Sequence, residues 1–200
     1  MQASLPLEPG KVYHLYNRGN NREDLFRDKA DYRTFLALYF KHVHSVVDTF
    51  AFCLMRNHFH LLMSVRDAAR FPEDVDSFGQ IDATQAFSNL FNAYAKMFNG
   101  RHQRTGRLFE ERFKRILVDS DNYSSQLVVY IHRNPQRHGF VLVFRTWEWS
   151  SYRALCSDRP TRVERVEVMR WFGSVRNFEV AHALEGHDEA LESYVADDPE

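Results

Sequence analysis

The stretch that most constrains this chain is His58-Phe59-His60-Leu61-Leu62-Met63-Ser64-Val65. Read with a period of two, Phe59, Leu61, Met63 and Val65 line one side of a strand, and His58, His60, Leu62 and Ser64 line the other. Residues 48–55 read as another strand, with Phe50, Phe52 and Leu54 on one face, and only Arg56-Asn57 separates the two. Strands joined that tightly pair antiparallel. Further strands are expected at Lys11–Tyr16 and Phe113–Val118. Between and after them lie helical patterns at 29–47, capped by Asp28, at Asp82–Phe98 and at Asp121–Asn134, the last ending before Pro135. Asn17 to Asn21 breaks the first strand, with Gly19 available for positive φ. Interleaved elements around an antiparallel hairpin indicate an α+β fold rather than a parallel, doubly wound sheet.

The chain is 200 residues long and 44% hydrophobic, enough to bury a core in one domain with an appendage. The division expected is a main domain over 1–153 and an acidic, helical tail over 154–200. The charges are unevenly spread. Overall, 26 basic side chains nearly balance 27 acidic ones, yet residues 93–153 hold 11 basic and 5 acidic, and residues 154–200 hold 5 and 11. A basic middle beside an acidic end is the signature of a nucleic-acid surface in one stretch. The tail is placed to dock on that basic face. Apolar runs are too short to span a membrane, and Met1 to Gly10 carries no signal pattern. Two distant cysteines fit a reduced, cytoplasmic setting, and no phosphate-cradling glycine motif argues for a nucleotide cofactor.

Three groups of residues could carry chemistry. His58 and His60 project to the same side of their strand, where two imidazoles can share a divalent cation; the plain alternative is a pair of ordinary strand histidines. Tyr130 and Asn134 lie four apart on one helical face, offering a phenol nucleophile and an amide oxygen. Spacing alone favours a core tyrosine there, with Asn134 as an ordinary helix end. The third group is Arg101, Arg104, Arg107, Arg112, Lys114 and Arg115, interleaved with His102, Phe109 and Phe113. It reads as a phosphate-neutralising segment or as a solvated loop. Arg18, Arg133, Arg137 and His138 are further basic groups that could join its surface.

Taken in order, these segments resemble the single-tyrosine HUH transposases, and in particular the REP-associated tyrosine transposases. The resemblance covers roughly residues 11–153. It is carried by Tyr13-His14-Leu15-Tyr16-Asn17-Arg18-Gly19-Asn20, Met55-Arg56-Asn57-His58-Phe59-His60-Leu61-Leu62, Arg104-Thr105-Gly106-Arg107-Leu108-Phe109, Tyr130-Ile131-His132-Arg133-Asn134-Pro135 and Trp149-Ser150-Ser151-Tyr152. Arg56 stands where many relatives have proline, which alters the turn and removes no ligand.

The resemblance implies a ferredoxin-like domain with a central antiparallel sheet and helices packed on it. It further implies Tyr130 as nucleophile, His58, His60 and Asn134 as ligands of Mg²⁺ or Mn²⁺, and hairpin or single-stranded DNA as substrate. The expected reaction is cleavage through a 5′-phosphotyrosine link, followed by strand transfer, with no ATP required. Arg18, Arg104, Arg107, Arg112, Lys114 and Arg115 would hold the DNA, with the protein acting as a monomer or homodimer. A free tyrosine of pKa about 10 is ionised only about one part in a thousand at neutral pH, a deficit of roughly 4 kcal/mol. No general base is legible, and His132, two residues along the helix from Tyr130, points away from it. The alternative is a non-catalytic DNA- or RNA-binding module on the same fold.

Overall fold

A computed structural model describes residues 6–67, 82–110 and 113–184. Its centre is the expected hairpin, β2 (Val47–Leu54) and β3 (His58–Val65). β1 (Val12–Arg18) pairs antiparallel with the other side of β3, and β4 (Lys114–Val118) with the other side of β1, giving the strand order β2-β3-β1-β4. Helix α1 (Lys29–His42) follows β1, and α2 (Ala83–Arg101) follows β3. The succession βαββαβ in this strand order is the ferredoxin-like arrangement.

The alternation in β3 decides what each face of the sheet meets. Phe59, Leu61, Met63 and Val65 pack with Tyr13 and Leu15 of β1 under α1 and α2, where Phe35, Tyr39, Phe87, Leu90 and Tyr94 complete one core. The opposite face carries Leu62, Ala51 and Cys53 into a second core beneath α3 (Asp121–Arg137). After α3 the segment Trp147 to Ser151 runs along the outer edge of β2. The Leu54 amide donates to the Trp149 carbonyl (2.9 Å), and the Ser151 amide to that of Phe52 (3.0 Å). That edge is therefore covered. Three short helices follow: α4 (Tyr152–Leu155), α5 (Arg165–Phe172) and α6 (Val175–Ala183). They bury Leu155, Val168 and Phe178 in the same second core as Leu127 and Ile131 of α3.

Four local expectations are corrected. The first helix ends at His42 rather than near 47. The Tyr39 carbonyl accepts from both the Val43 and His44 amides, and Val47 pairs with Val65 as a strand residue. Sheet pairing wins over a helical spacing carried by β-branched valines. Second, Phe50 does not share a face with Leu54. A bulge between Thr49 and Ala51 turns it into the second core, its ring 4.9 Å from Trp171. Third, α3 continues through Pro135 to Arg137. The ring removes one amide near the helix end, and the His138 amide still reaches the Asn134 carbonyl at 2.9 Å. Fourth, Gly19 has φ −66; positive φ falls to Asn21 and Arg22. Glycine is required because a Cβ at this position would sit 2.0 Å from the Glu23 carbonyl oxygen.

Capping follows the sequence. Asp28 accepts from the Ala30 and Asp31 amides, Asp82 from Thr84, and Ser120 from Tyr123. No helix among the described residues is long and apolar enough to cross a membrane.

Candidate active site

The site forms where β3 and β1 face α3. In the antiparallel register Tyr16 stands opposite His60, Arg18 opposite His58, and His14 opposite Leu62. These side chains share the sheet face that α3 covers. His58 and His60 are buried, and so is Tyr130, at 2% exposure. Tyr130 belongs to the second core, as spacing favoured, and it also meets the histidines. Its ring lies edge-on to His60, with centroids 5.8 Å apart and planes at 84°, and 6.3 Å from His14. The His58 and His60 rings are 5.3 Å apart.

One row along α3 matches this pair. Tyr130 touches His60, and two turns later the His138 ring lies 5.0 Å from His58. Asn134 is midway in sequence, at i+4 from one and i−4 from the other, on the same row of the helix. Asn134 is fully buried, and among the described residues neither its amide oxygen nor its amide nitrogen has a hydrogen-bond partner. A buried side-chain amide without partners costs about 1–3 kcal/mol, a cost that a water or a cation would relieve.

Imidazole geometry adds to the fit. His58 Nδ1 donates to Asn57 Oδ1 at 2.8 Å, because an amide oxygen only accepts, so the lone pair of that ring resides on Nε2. His60 Nδ1 lies 3.0 Å from His14 Nε2. Among the described residues no three His, Cys, Asp or Glu side chains are arranged to hold a metal ion by themselves. Two imidazole nitrogens and an amide oxygen form a mixed N/O donor set of the kind that suits Mn²⁺ or Mg²⁺. His58, His60 and Asn134 have the donor chemistry that a divalent cation would need.

The basic residues separate into distinct groups. Arg18 and Lys114 are on the histidine face. Lys114 Nζ is 6.0 Å from the Tyr16 ring centre, and Arg18 Nε pairs with Glu110. Arg137 holds its guanidinium 5.0 Å from the Tyr130 ring centre. Arg107 is exposed on the loop before β4. Arg104 is committed to structure: it donates to Glu23 (2.6 Å), Asn99 (3.0 Å) and the Arg107 carbonyl (2.8 Å). Arg115 belongs to the opposite sheet face, stacked 4.7 Å from the Phe113 ring centre and 3.5 Å from Thr84 Oγ1. Arg112 lies outside the described residues. Arg133 does not join this surface and donates instead to the Leu184 carbonyl.

His132 points to the far side of α3, as its offset from Tyr130 requires. Its Nε2 is 2.7 Å from Ser151 Oγ and its Nδ1 is 2.9 Å from His182 Nε2, while His182 Nδ1 donates to the Phe178 carbonyl at 2.7 Å. Burial holds the His132 pKa well below the usual imidazole range and that of His182 at about 4. Sequence reading did not find His14 as a site residue. Its one signal was alternation in β1, which sets it with Val12 and Tyr16, but nothing in the chain says that this face meets His60.

No family model matches the chain. A curated relative from Haemophilus influenzae, described as a REP-associated tyrosine transposase, is 31% identical over 114 residues. The match covers 54% of this chain and 61% of the relative, so the chain spans about three fifths of that protein's length. A solved structure of a REP-associated tyrosine transposase bound to a REP hairpin superposes with a TM-score of 0.57, covering 77% of this chain and 84% of that one at 15% identity, a likeness of fold. Over part of its length the chain is similar in sequence to one REP-associated tyrosine transposase, and its fold is like that of another.

Proposed function

We propose that this protein cleaves and rejoins single-stranded DNA beside a hairpin, using Tyr130 as nucleophile. The observation that carries the reading is Tyr130 of α3 and His138 at its C-terminal end packing against His60 and His58 of β3, with Asn134 spaced between them. The described relatives supply the substrate class: one solved structure holds a REP hairpin.

In the first step the Tyr130 oxygen attacks the scissile phosphorus. The bond to the 3′ oxygen breaks, the phenol loses its proton, and the leaving 3′ oxygen gains one. The DNA 5′ phosphate is left joined to Tyr130. In the second step a 3′ hydroxyl attacks that phosphorus and releases the phenol. One phosphodiester replaces another, so no ATP enters. Mg²⁺ or Mn²⁺ held by His58, His60 and Asn134 would supply Lewis-acid polarisation of a non-bridging phosphate oxygen. Arg137 adds a permanent cation beside the nucleophile, where the phosphate must lie. Lys114 and Arg18 on the histidine face would contact the backbone, with Arg107 reaching it from the exposed loop before β4; Arg115 and Arg104 are occupied elsewhere.

The test is incubation with labelled hairpin DNA and Mn²⁺, then denaturing electrophoresis. A covalent adduct is expected from the wild type and from Tyr123→Phe, and none from Tyr130→Phe. Hairpin binding without any adduct would make the protein a binding module, and cleavage surviving in Tyr130→Phe would make water the nucleophile.

A further inference from the structure

We infer that His14 is a positioning residue that sets the tautomer of His60, so that both strand imidazoles present Nε2 to one cation. This rests on the metal-dependent reading above and adds a residue to it. His14 and His60 are both fully buried, and His14 Nε2 stands 3.0 Å from His60 Nδ1.

One of these two nitrogens must carry the shared proton. If His14 donated, His60 would keep its own proton on Nε2 and have no lone pair there for a cation. If His60 Nδ1 donates, the ring's lone pair resides on Nε2, which matches the arrangement already fixed for His58 by Asn57. A carboxylate is the common partner for a ligating histidine, but a carboxylate in a fully buried position would carry an expensive charge. A neutral imidazole accepts the same hydrogen bond without that cost.

The surroundings hold His14 in this role. It sits diagonally from His60 across the β1–β3 pairing. Its ring packs 5.1 Å from Tyr16, and Tyr130 closes over it edge-on at 82°. The same tyrosine ring therefore rests on the ligand and on the residue that orients it.

The test is Mn²⁺ titration of the full chain by calorimetry, with thermal midpoints measured alongside, for the wild type, His14→Leu and His14→Gln. Glutamine keeps a side-chain oxygen that can accept from His60 Nδ1. His14→Leu should weaken Mn²⁺ binding about 10- to 100-fold, and His14→Gln should restore most of it. Unchanged affinity in His14→Leu overturns the inference. So does a His14→Gln protein that melts like the wild type but binds as poorly as His14→Leu, since His14 would then be a ligand itself. Nitrogen-15 imidazole spectra of the wild type give an independent reading that needs no variant to fold. A proton on His60 Nδ1 is expected, and one on His60 Nε2 overturns the inference. A wild type that binds no Mn²⁺ sinks the metal reading instead, and leaves the tautomer measurement to decide the role of His14.

Discussion

The Tyr130 ring stands edge-on to the His60 imidazole, with centroids 5.8 Å apart, across the boundary between α3 and the sheet. A residue that periodicity assigns to the core and one that alternation assigns to the second face of β3 thus share a single buried site. Their side chains are brought together by how the helix lies on the sheet.

Asn134 separates stability from function. Its amide is buried and has no hydrogen-bond partner among the described residues. Asn134→Leu is expected to raise the stability of the metal-free protein by about 1 kcal/mol, because a buried polar group without a partner is removed. The same substitution should weaken Mn²⁺ binding at least tenfold, on the order of a lost ligand interaction. Thermal melts and calorimetry on one sample check both signs. A drop in metal-free stability would show that the amide has a structural partner.

Lys114 and Arg115 are neighbours in sequence with opposite assignments. Lys114→Ala should weaken hairpin binding and reduce the salt dependence of the logarithm of affinity by about one charge. Arg115→Ala should leave that slope unchanged and lower the melting point instead, since the guanidinium stacks on Phe113. Fluorescence anisotropy at several salt concentrations distinguishes the two. Equal slopes for both variants would refute the split.

The buried pair His132 and His182 makes stability depend on pH. Both are held below the imidazole reference by burial, His182 to about 4. The unfolded chain therefore binds more protons than the folded one between about pH 4 and 6.5, and stability rises with pH there. The contribution is complete above about pH 6.5 and is lost as pH falls towards 4; for His182 alone it is about 3 kcal/mol. Chemical denaturation from pH 4.5 to 7.5 should show this slope, and His182→Gln should flatten it. A variant with the wild-type slope would rule out His182 as the source.

Gly19 tolerates no side chain. A Cβ at this position would stand 2.0 Å from the Glu23 carbonyl oxygen, which belongs to the same turn that Arg104 ties to Glu23. Gly19→Ala should cost about 2–4 kcal/mol by forcing the turn apart. The loss should show in denaturant midpoints with the histidines untouched.

Much of this protein is legible from local pattern. The alternation of 58–65 determined β3 to the residue and determined which side carries the two histidines. Asp28, Asp82 and Ser120 fix helix starts through side-chain oxygens that reach their own backbone. Such features depend on neighbours within a few residues, so the chain states them directly. The later positions of the first helix read as helix but became strand, because Val47 gains a partner in Val65. Phe50 changed faces through a bulge that only the register with β3 defines. The same limit explains the site. His58, His60, Tyr130 and Asn134 are recognisable as types at a spacing, whereas His14 and His138 join them only through strand order and the lie of α3. Those contacts span dozens of residues, and their pairing is decided by burying two sheet faces at once, which no stretch of sequence encodes alone.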